Sequence, residues 1–206
     1  MKRIVFHVEG GQNKNEDARF RQAFRTFFTE IDVAASAHGV SLKFIMEGPR
    51  RTAYERFCHE SPKDADEWHV LLVDAEDLVK QSGLCWKHIE ERAADQFERP
   101  NAAEEAQCQL MVQAMEAWFF ADADALTRYY GKEFQASSLP KTNNVENIPK
   151  ARHISALEAA TKGTQKKRYH KTHHAPDILA QIDPAKVRNR APHCDRIFVD
   201  LINKLG

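Results

Sequence analysis

His69–Asp77, HVLLVDAED, is a short apolar run that meets three acids within four residues. Val70, Leu71, Leu72 and Val73 show no polar alternation. That pattern suits a strand buried on both faces in a parallel sheet, although so short a run also suits buried helix. Asp74, Glu76 and Asp77 stand where such a strand ends. Ligands of open α/β sheets bind at the carboxyl ends of the strands. Clustered carboxylates repel one another unless a cation joins them, and oxygen-rich clusters suit hard cations such as Mg²⁺. The plainer reading is a strand that runs into a solvated acidic loop.

Outward from this run, the preceding residues repeat its logic. Arg3–Val8, RIVFHV, reads as a first strand that stops at Glu9-Gly10-Gly11. A helix follows over 15–31, with Phe20, Ala23, Phe24, Phe27, Phe28 and Ile31 at helical spacing. Val40–Met46 reads as a second strand ending at Glu47-Gly48, and 51–58 as a helix with Ala53, Tyr54 and Phe57 inward. The order β-α-β-α-β implies a parallel sheet with right-handed crossovers. Glu9 and Asp74 then share one rim. No G-x-G-x-x-G and no G-x-x-x-x-G-K follows the first strand, which argues against dinucleotide and P-loop sites.

Beyond Asp77 the pattern weakens. Trp86, Ile89 and Ala93 suggest a helix face. Leu110-Met111-Val112 suggests a short strand, followed by a helical turn that carries Glu116. This acid is the only charge between Gln109 and Asp122. Asp122 or Asp124 caps a helix over 123–130 that Gly131 ends. Residues 137–149 read as loop and 148–162 as a helix with Ile154, Leu157 and Ala160 inward. A basic run over 162–174 holds Lys166, Lys167, Arg168 and Lys171 with no acid; charge runs of this kind are commonly solvated loops. Short helices over 175–182 and after Asp183-Pro184 precede a last helix from Pro192. The expected organisation is one domain over 1–206, with a core over 1–77, its continuation over 78–135, and a helical, basic part over 136–206.

Composition narrows the function. The 206 residues are 42% hydrophobic with zero formal net charge, so nucleic-acid affinity would need a local basic patch. No run approaches the ~18 apolar residues of a membrane span, and the N-terminus lacks a signal-peptide pattern. The chain is therefore expected to be cytoplasmic, with Cys58, Cys85, Cys108 and Cys194 as reduced thiols. His170, His173 and His174 lack the spacing of a ligand pair on one helical face. Ser61, Ser82 and Ser137 lack a nucleophile-elbow context.

The chemistry these residues suggest is metal-dependent phosphodiester cleavage. Glu9, Asp74 and Glu76 are the candidate ligands, with Asp77 as an alternative to Glu76. Glu116 is a candidate second ligand or base, and Lys171 would offset phosphate charge. Arg50, Arg51, Lys166, Lys167 and Arg168 are candidate contacts to a nucleic-acid backbone. Carboxylates of Glu9 and Asp74 more than ~8 Å apart could not share one Mg²⁺. Phosphoryl transfer to a small nucleotide fits the same acids, but the sequence shows no obvious base-stacking pocket.

Glu9-Gly10 after a first strand and Asp74-Ala75-Glu76 after a third resemble the Toprim domain of topoisomerases, primases and OLD-type nucleases. More narrowly the chain resembles the Toprim-like DUF4276 family, in VEGG, GPRRTAYERF, LLVDAED, MVQAMEAWFFADADAL and YHKTHH. The resemblance implies a Toprim-like α/β fold, a mostly parallel central sheet flanked by helices with a helical C-terminal part. It also implies Mg²⁺- or Mn²⁺-dependent nuclease activity and an ABC- or SMC-type ATPase partner in antiphage defence, with oligomer formation possible. By analogy with OLD-type nucleases, Glu116 and Lys171 match an extra acid and a catalytic lysine. The alternative is a non-catalytic module that docks on an ATPase or nucleic acid.

Overall fold

The computed structural model describes residues 1–11, 13–61, 64–80 and 84–206; Ser82 lies outside them. Four strands, β1 (Arg3–Val8), β2 (Ser41–Met46), β3 (Glu67–Asp74) and β4 (Cys108–Met111), form an all-parallel sheet in the order β2-β1-β3-β4. The apolar runs of β1 and β3 are explained by this order, because both are inner strands covered on two faces. Their register sets Phe6 beside Val70 and Val8 beside Leu72.

Alternate residues supply two cores. Ile4, Phe6, Val8, Val70 and Leu72 pack with α1 (Lys14–Phe27), α2 (Thr29–Ala37) and α9 (Pro192–Leu205). Leu71 and Val73 face α3 (Arg50–Glu60) and α4 (Cys85–Glu90). Phe6 stacks on Phe44 at 4.6 Å, and Phe28 stacks on both, so the first core rests on offset aromatic pairs. On the second face the buried His7 and His69 share a hydrogen bond of 2.9 Å, and His7 Nδ1 meets Glu47 at 2.8 Å.

The remaining helices are α5 (Ala123–Tyr130), α6 (Lys150–Thr161), α7 (Lys171–Leu179) and α8 (Pro184–Arg188). Asp122 caps α5, and Gly131, at φ 70°, ends it. The sheet and its helical layers are consistent with the Toprim-like α/β fold that the resemblance implies.

Several boundaries differ from the sequence reading. The helix expected over 15–31 breaks at Phe28, where the Thr26 and Thr29 hydroxyls bond to carbonyls one turn back. Ala93 is exposed beyond the end of α4, Ile154 faces outward from α6, and Tyr54 is only half-buried. The stretch 137–149 holds two short 3₁₀ turns. The helix expected from Ala175 begins at Lys171 and carries Pro176 inside it. Pro176 has no N–H for the Thr172 carbonyl. Arg19 of α1 approaches that carbonyl at 3.5 Å and donates to the His173 carbonyl at 2.7 Å.

Candidate metal and phosphate site

The rim forms at the carboxyl ends of β1 and β3. Beyond Val8 the chain keeps pace with β3 for one residue, and the Glu9 N–H donates to the Leu72 carbonyl at 3.0 Å. Gly10 (φ 120°) and Gly11 (φ 83°) then turn the chain away, in backbone conformations that L-residues rarely adopt. The Glu9 side chain turns back, and its Oε2 accepts the Asp74 N–H at 3.1 Å. Asp74 closes β3 and is 5% exposed; its Oδ1 accepts the Met115 N–H at 2.9 Å. Glu76 follows in the left-handed region, at φ 69°, with its N–H on the Gln113 carbonyl at 3.1 Å. One oxygen each from Glu9, Asp74 and Glu76 lies within 4.8 Å of the other two.

Two lysines from the C-terminal part face these acids. Lys150, the first residue of α6, pairs directly with Glu76 Oε1 and lies 3.9 Å from Asp74 Oδ2. Its backbone N–H donates to Gln113 Oε1 at 3.0 Å. Gln113 thus ties the Glu76 loop to the start of α6. Lys171, the first residue of α7, lies 3.8 Å from Asp74 Oδ2 and 3.4 Å from Glu116 Oε1. Glu116 is 2% exposed in the 3₁₀ turn after β4, and it also accepts the Tyr169 hydroxyl at 3.2 Å. Arg19, bonded to the first turn of α7, steadies the backbone that presents Lys171.

Burial and nearby acids raise the pKa values of Glu9 and Asp74. For Glu9, burial pushes the carboxyl up to about 7, and Asp74 adds to the rise against the pull of Arg50. Asp74 is pushed up to about 6, chiefly by burial, while Lys171 opposes the rise. Burial works against the Lys171 ammonium, yet Asp74 and Glu116 hold its pKa above the ordinary lysine value. Burial and the neighbouring acids thus disfavour the ionised carboxylates, and the nearby cations oppose that.

The donor set fits a hard divalent cation. Mg²⁺ takes oxygen ligands at about 2.1 Å, so oxygens around it stand roughly 3–4 Å apart. The oxygens of Glu9, Asp74 and Glu76, within 4.8 Å of one another, stand close to that spacing. Glu76 is the third member of the cluster. Asp77 is not: it is 73% exposed and bonds to Arg92 at 2.5 Å.

Arg50 also departs from expectation. Its side chain is buried, bonded to the Asp74 carbonyl and to Asp95 at 2.9 Å, so it supports the rim from beneath and is not free to meet a nucleic-acid backbone. Arg51 is exposed, 5.4 Å from the Phe97 ring. Lys166, Lys167 and Arg168 are exposed on the loop before α7. Thr161 and Thr164 hold that loop by bonds to the Tyr169 N–H and the Lys167 carbonyl, and Lys166 covers the Tyr129 ring at 4.6 Å. His174 meets the Tyr130 hydroxyl at 3.0 Å, and the His170 and His173 rings lie 4.6 Å apart, tilted by 34°. The sequence reading missed Lys150, Gln113 and Tyr169.

A family model described as Domain of unknown function (DUF4276) matches residues 12–202. The chain belongs to the DUF4276 family. The match takes in Asp74, Glu76, Glu116, Lys150 and Lys171, whereas Glu9 and its glycines precede it. No curated protein and no solved structure matches this DUF4276 chain. Among the described residues, no helix is long and apolar enough to cross a membrane.

Proposed function

We propose that this chain is a divalent-cation-dependent nuclease of Toprim type that cleaves phosphodiester bonds. The observation that carries this reading is the convergence of Glu9, Asp74 and Glu76 from two strand ends within 4.8 Å. The ~8 Å limit beyond which Glu9 and Asp74 could not share Mg²⁺ is thus respected. Mg²⁺ or Mn²⁺ held there would polarise a phosphate oxygen and lower the pKa of a water.

The chain's own residues supply the rest. Lys171 neutralises charge on the phosphate, and Glu116 with Tyr169 fixes where its ammonium stands. Glu116 is then a positioning residue. Lys150 holds Glu76 at the rim, where its carboxylate would serve as a ligand to the cation. Lys166, Lys167, Arg168 and Arg51 lie exposed for backbone phosphates. The cysteines among the described residues are free thiols, which fits a cytoplasmic protein. The resemblance adds an ABC- or SMC-type ATPase as the controlling partner, with DNA or RNA as substrate.

The test is cleavage of DNA and RNA, including tRNA, with Mg²⁺ or Mn²⁺, by the chain alone and with its ATPase. Equal behaviour of the wild type and Asp74→Ala in every case would sink the reading. A second reading is a non-catalytic docking module. It is favoured by the direct Lys150–Glu76 pair and the raised acid pKa values, since lysine and protons can neutralise the rim without metal.

A further inference from the structure

The acidic rim is only one wall of its cavity. The space, about 330 Å³, continues inward between α1 and the ends of β2 and β4. It falls at the small end of the range for small-molecule sites, about 300–1,000 Å³. Phe20, Met46, Met111 and Met115 line this inner part. A site that handles only phosphate and metal has no use for such a lining. Thioethers are polarisable and conform to flat aromatic faces. Enzymes that take a base out of its stack hold it between side chains of this kind.

One polar group interrupts the apolar wall. Glu16, in the first turn of α1, lines the cavity, and its Oε2 is buried with no hydrogen-bond partner among the described residues. Its companions in the turn are accounted for, because Asn13 caps the helix by accepting from the N–H groups of Asn15 and Glu16. A buried carboxylate oxygen left unpaired costs more than the bond it lacks, which makes it a strong demand for a donor. A carboxylate accepts only, through two oxygens. On the pairing edges of the bases, guanine alone sets two adjacent donors, N1–H and the N2 amino group, side by side. Adenine and cytosine each place a ring acceptor next to their amino group, and uracil flanks its N–H with carbonyls.

We propose that this cavity takes an unstacked guanine of the nucleic-acid substrate, with Glu16 reading its N1–H and N2–H edge. This inference rests on the nuclease reading for its substrate class. It makes the enzyme a guanine-selective nuclease of unpaired strands, with the base seated against Phe20 and the methionines and the adjoining phosphate at Lys171.

The test uses the full chain and the free mononucleotides GMP, IMP, AMP, CMP and UMP, in EDTA, so that no metal is involved. Binding is followed by calorimetry and by the methyl signals of ¹³C-labelled methionines. GMP is expected to bind about 10–100-fold more tightly than AMP, with IMP, which lacks the N2 amino group, between them. The Met46, Met111 and Met115 methyls should shift. A glutamine at position 16 offers one donor beside one acceptor, a pattern that adenine, cytosine and uracil complement and guanine's paired donors do not, so Glu16→Gln should erase the preference for GMP and raise the affinity for AMP. The melting temperature, unchanged in that variant, would show that the fold is intact. Equal affinity for all five nucleotides, no binding at millimolar concentration, or an unaltered GMP preference in Glu16→Gln each overturns the proposal. Mn²⁺ binding, measured separately without nucleotide, tests the metal reading. A chain that binds GMP selectively but not Mn²⁺ keeps the pocket and loses the metal site, and the reverse result does the opposite.

Discussion

Two charged networks meet at the rim, and Arg50 belongs to both. In the first, Asp95 is held by Arg50 and Arg92, each at 2.9 Å, and Arg92 reaches Asp77 at 2.5 Å. These contacts are hydrogen-bonded pairs. In the second, Lys171 and Lys150 stand 3.8 Å and 3.9 Å from Asp74, and Arg50 stands 3.9 Å from Glu9. Those separations are too long for hydrogen bonds. Glu76, held directly by Lys150, is the exception. One network is closed by short arginine hydrogen bonds to Asp95 Oδ2 and Asp77 Oδ2. The other keeps its carboxylates close together and weakly answered, as a binding site must. Acidity alone does not separate the two; the completeness of pairing does.

The sharpest way to break this contrast is to alter a cation in each network. Lys171→Met in the open network should lower cleavage about 10²–10³-fold, by loss of charge stabilisation at the phosphate. Mn²⁺ binding should persist, because the lysine is not a ligand, while the melting temperature should fall as the buried Glu116 loses the ammonium 3.4 Å away. Cleavage by Lys171→Met equal to that of the wild type would remove the lysine from the chemistry.

Arg50→Ala in the closed network should act chiefly on stability. It strips a buried charge partner from Asp95 and from the Asp74 carbonyl, at a cost of about 3–5 kcal/mol. Denaturant unfolding measures this. Asp77→Asn, at the exposed end of the same network, should stay within about 0.5 kcal/mol of wild type. Comparable losses for the two variants would contradict the burial difference between them.

Acidity gives a third test. Glu9 and Asp74 have folded pKa values raised above their unfolded ones, so they favour the folded state most below the ordinary carboxylate range. That stabilisation is lost as pH climbs through about 6 and about 7. The metal-free protein should therefore soften over this window, while Mg²⁺, which needs both acids ionised, should bind more tightly and restore the melting temperature. A melting temperature that ignores both pH and Mg²⁺ there would count against the shared site.

The smallest effect belongs to the basic loop. Replacing Lys166, Lys167 and Arg168 by alanine should weaken single-strand binding at low salt and lower the salt slope by about 2. Binding titrations at several salt concentrations would show it, and an unchanged slope would place the strand elsewhere.

The sequence made the sheet legible because inner parallel strands are apolar runs with abrupt polar ends. Glu9 and Asp74 follow from that rule, since parallel strands bring their carboxyl ends to one edge. Lys150 does not follow. It meets Glu76 across 74 residues, and nothing local to a helix start announces that encounter. Arg50 and Arg51 look alike in sequence, yet one helical step turns the first under the rim and the second outward. Ile154 shows the same limit, because spacing defines a helical face without saying that the core covers it. The start of α7 was hidden by Pro176, which reads as a breaker until Arg19 is seen beside the carbonyl it frees.

Glu76 carries a consequence of another kind. A glutamate at φ 69° sits where glycine would rest with less strain, by roughly 1 kcal/mol. It also adds a third negative charge to an already crowded rim. Selection for thermal robustness alone would therefore drift this position toward glycine, and a heat-challenge library should enrich that change. The glutamate is a place where durability and chemistry pull in opposite directions, so its fate under the two kinds of selection reports which one has shaped the chain.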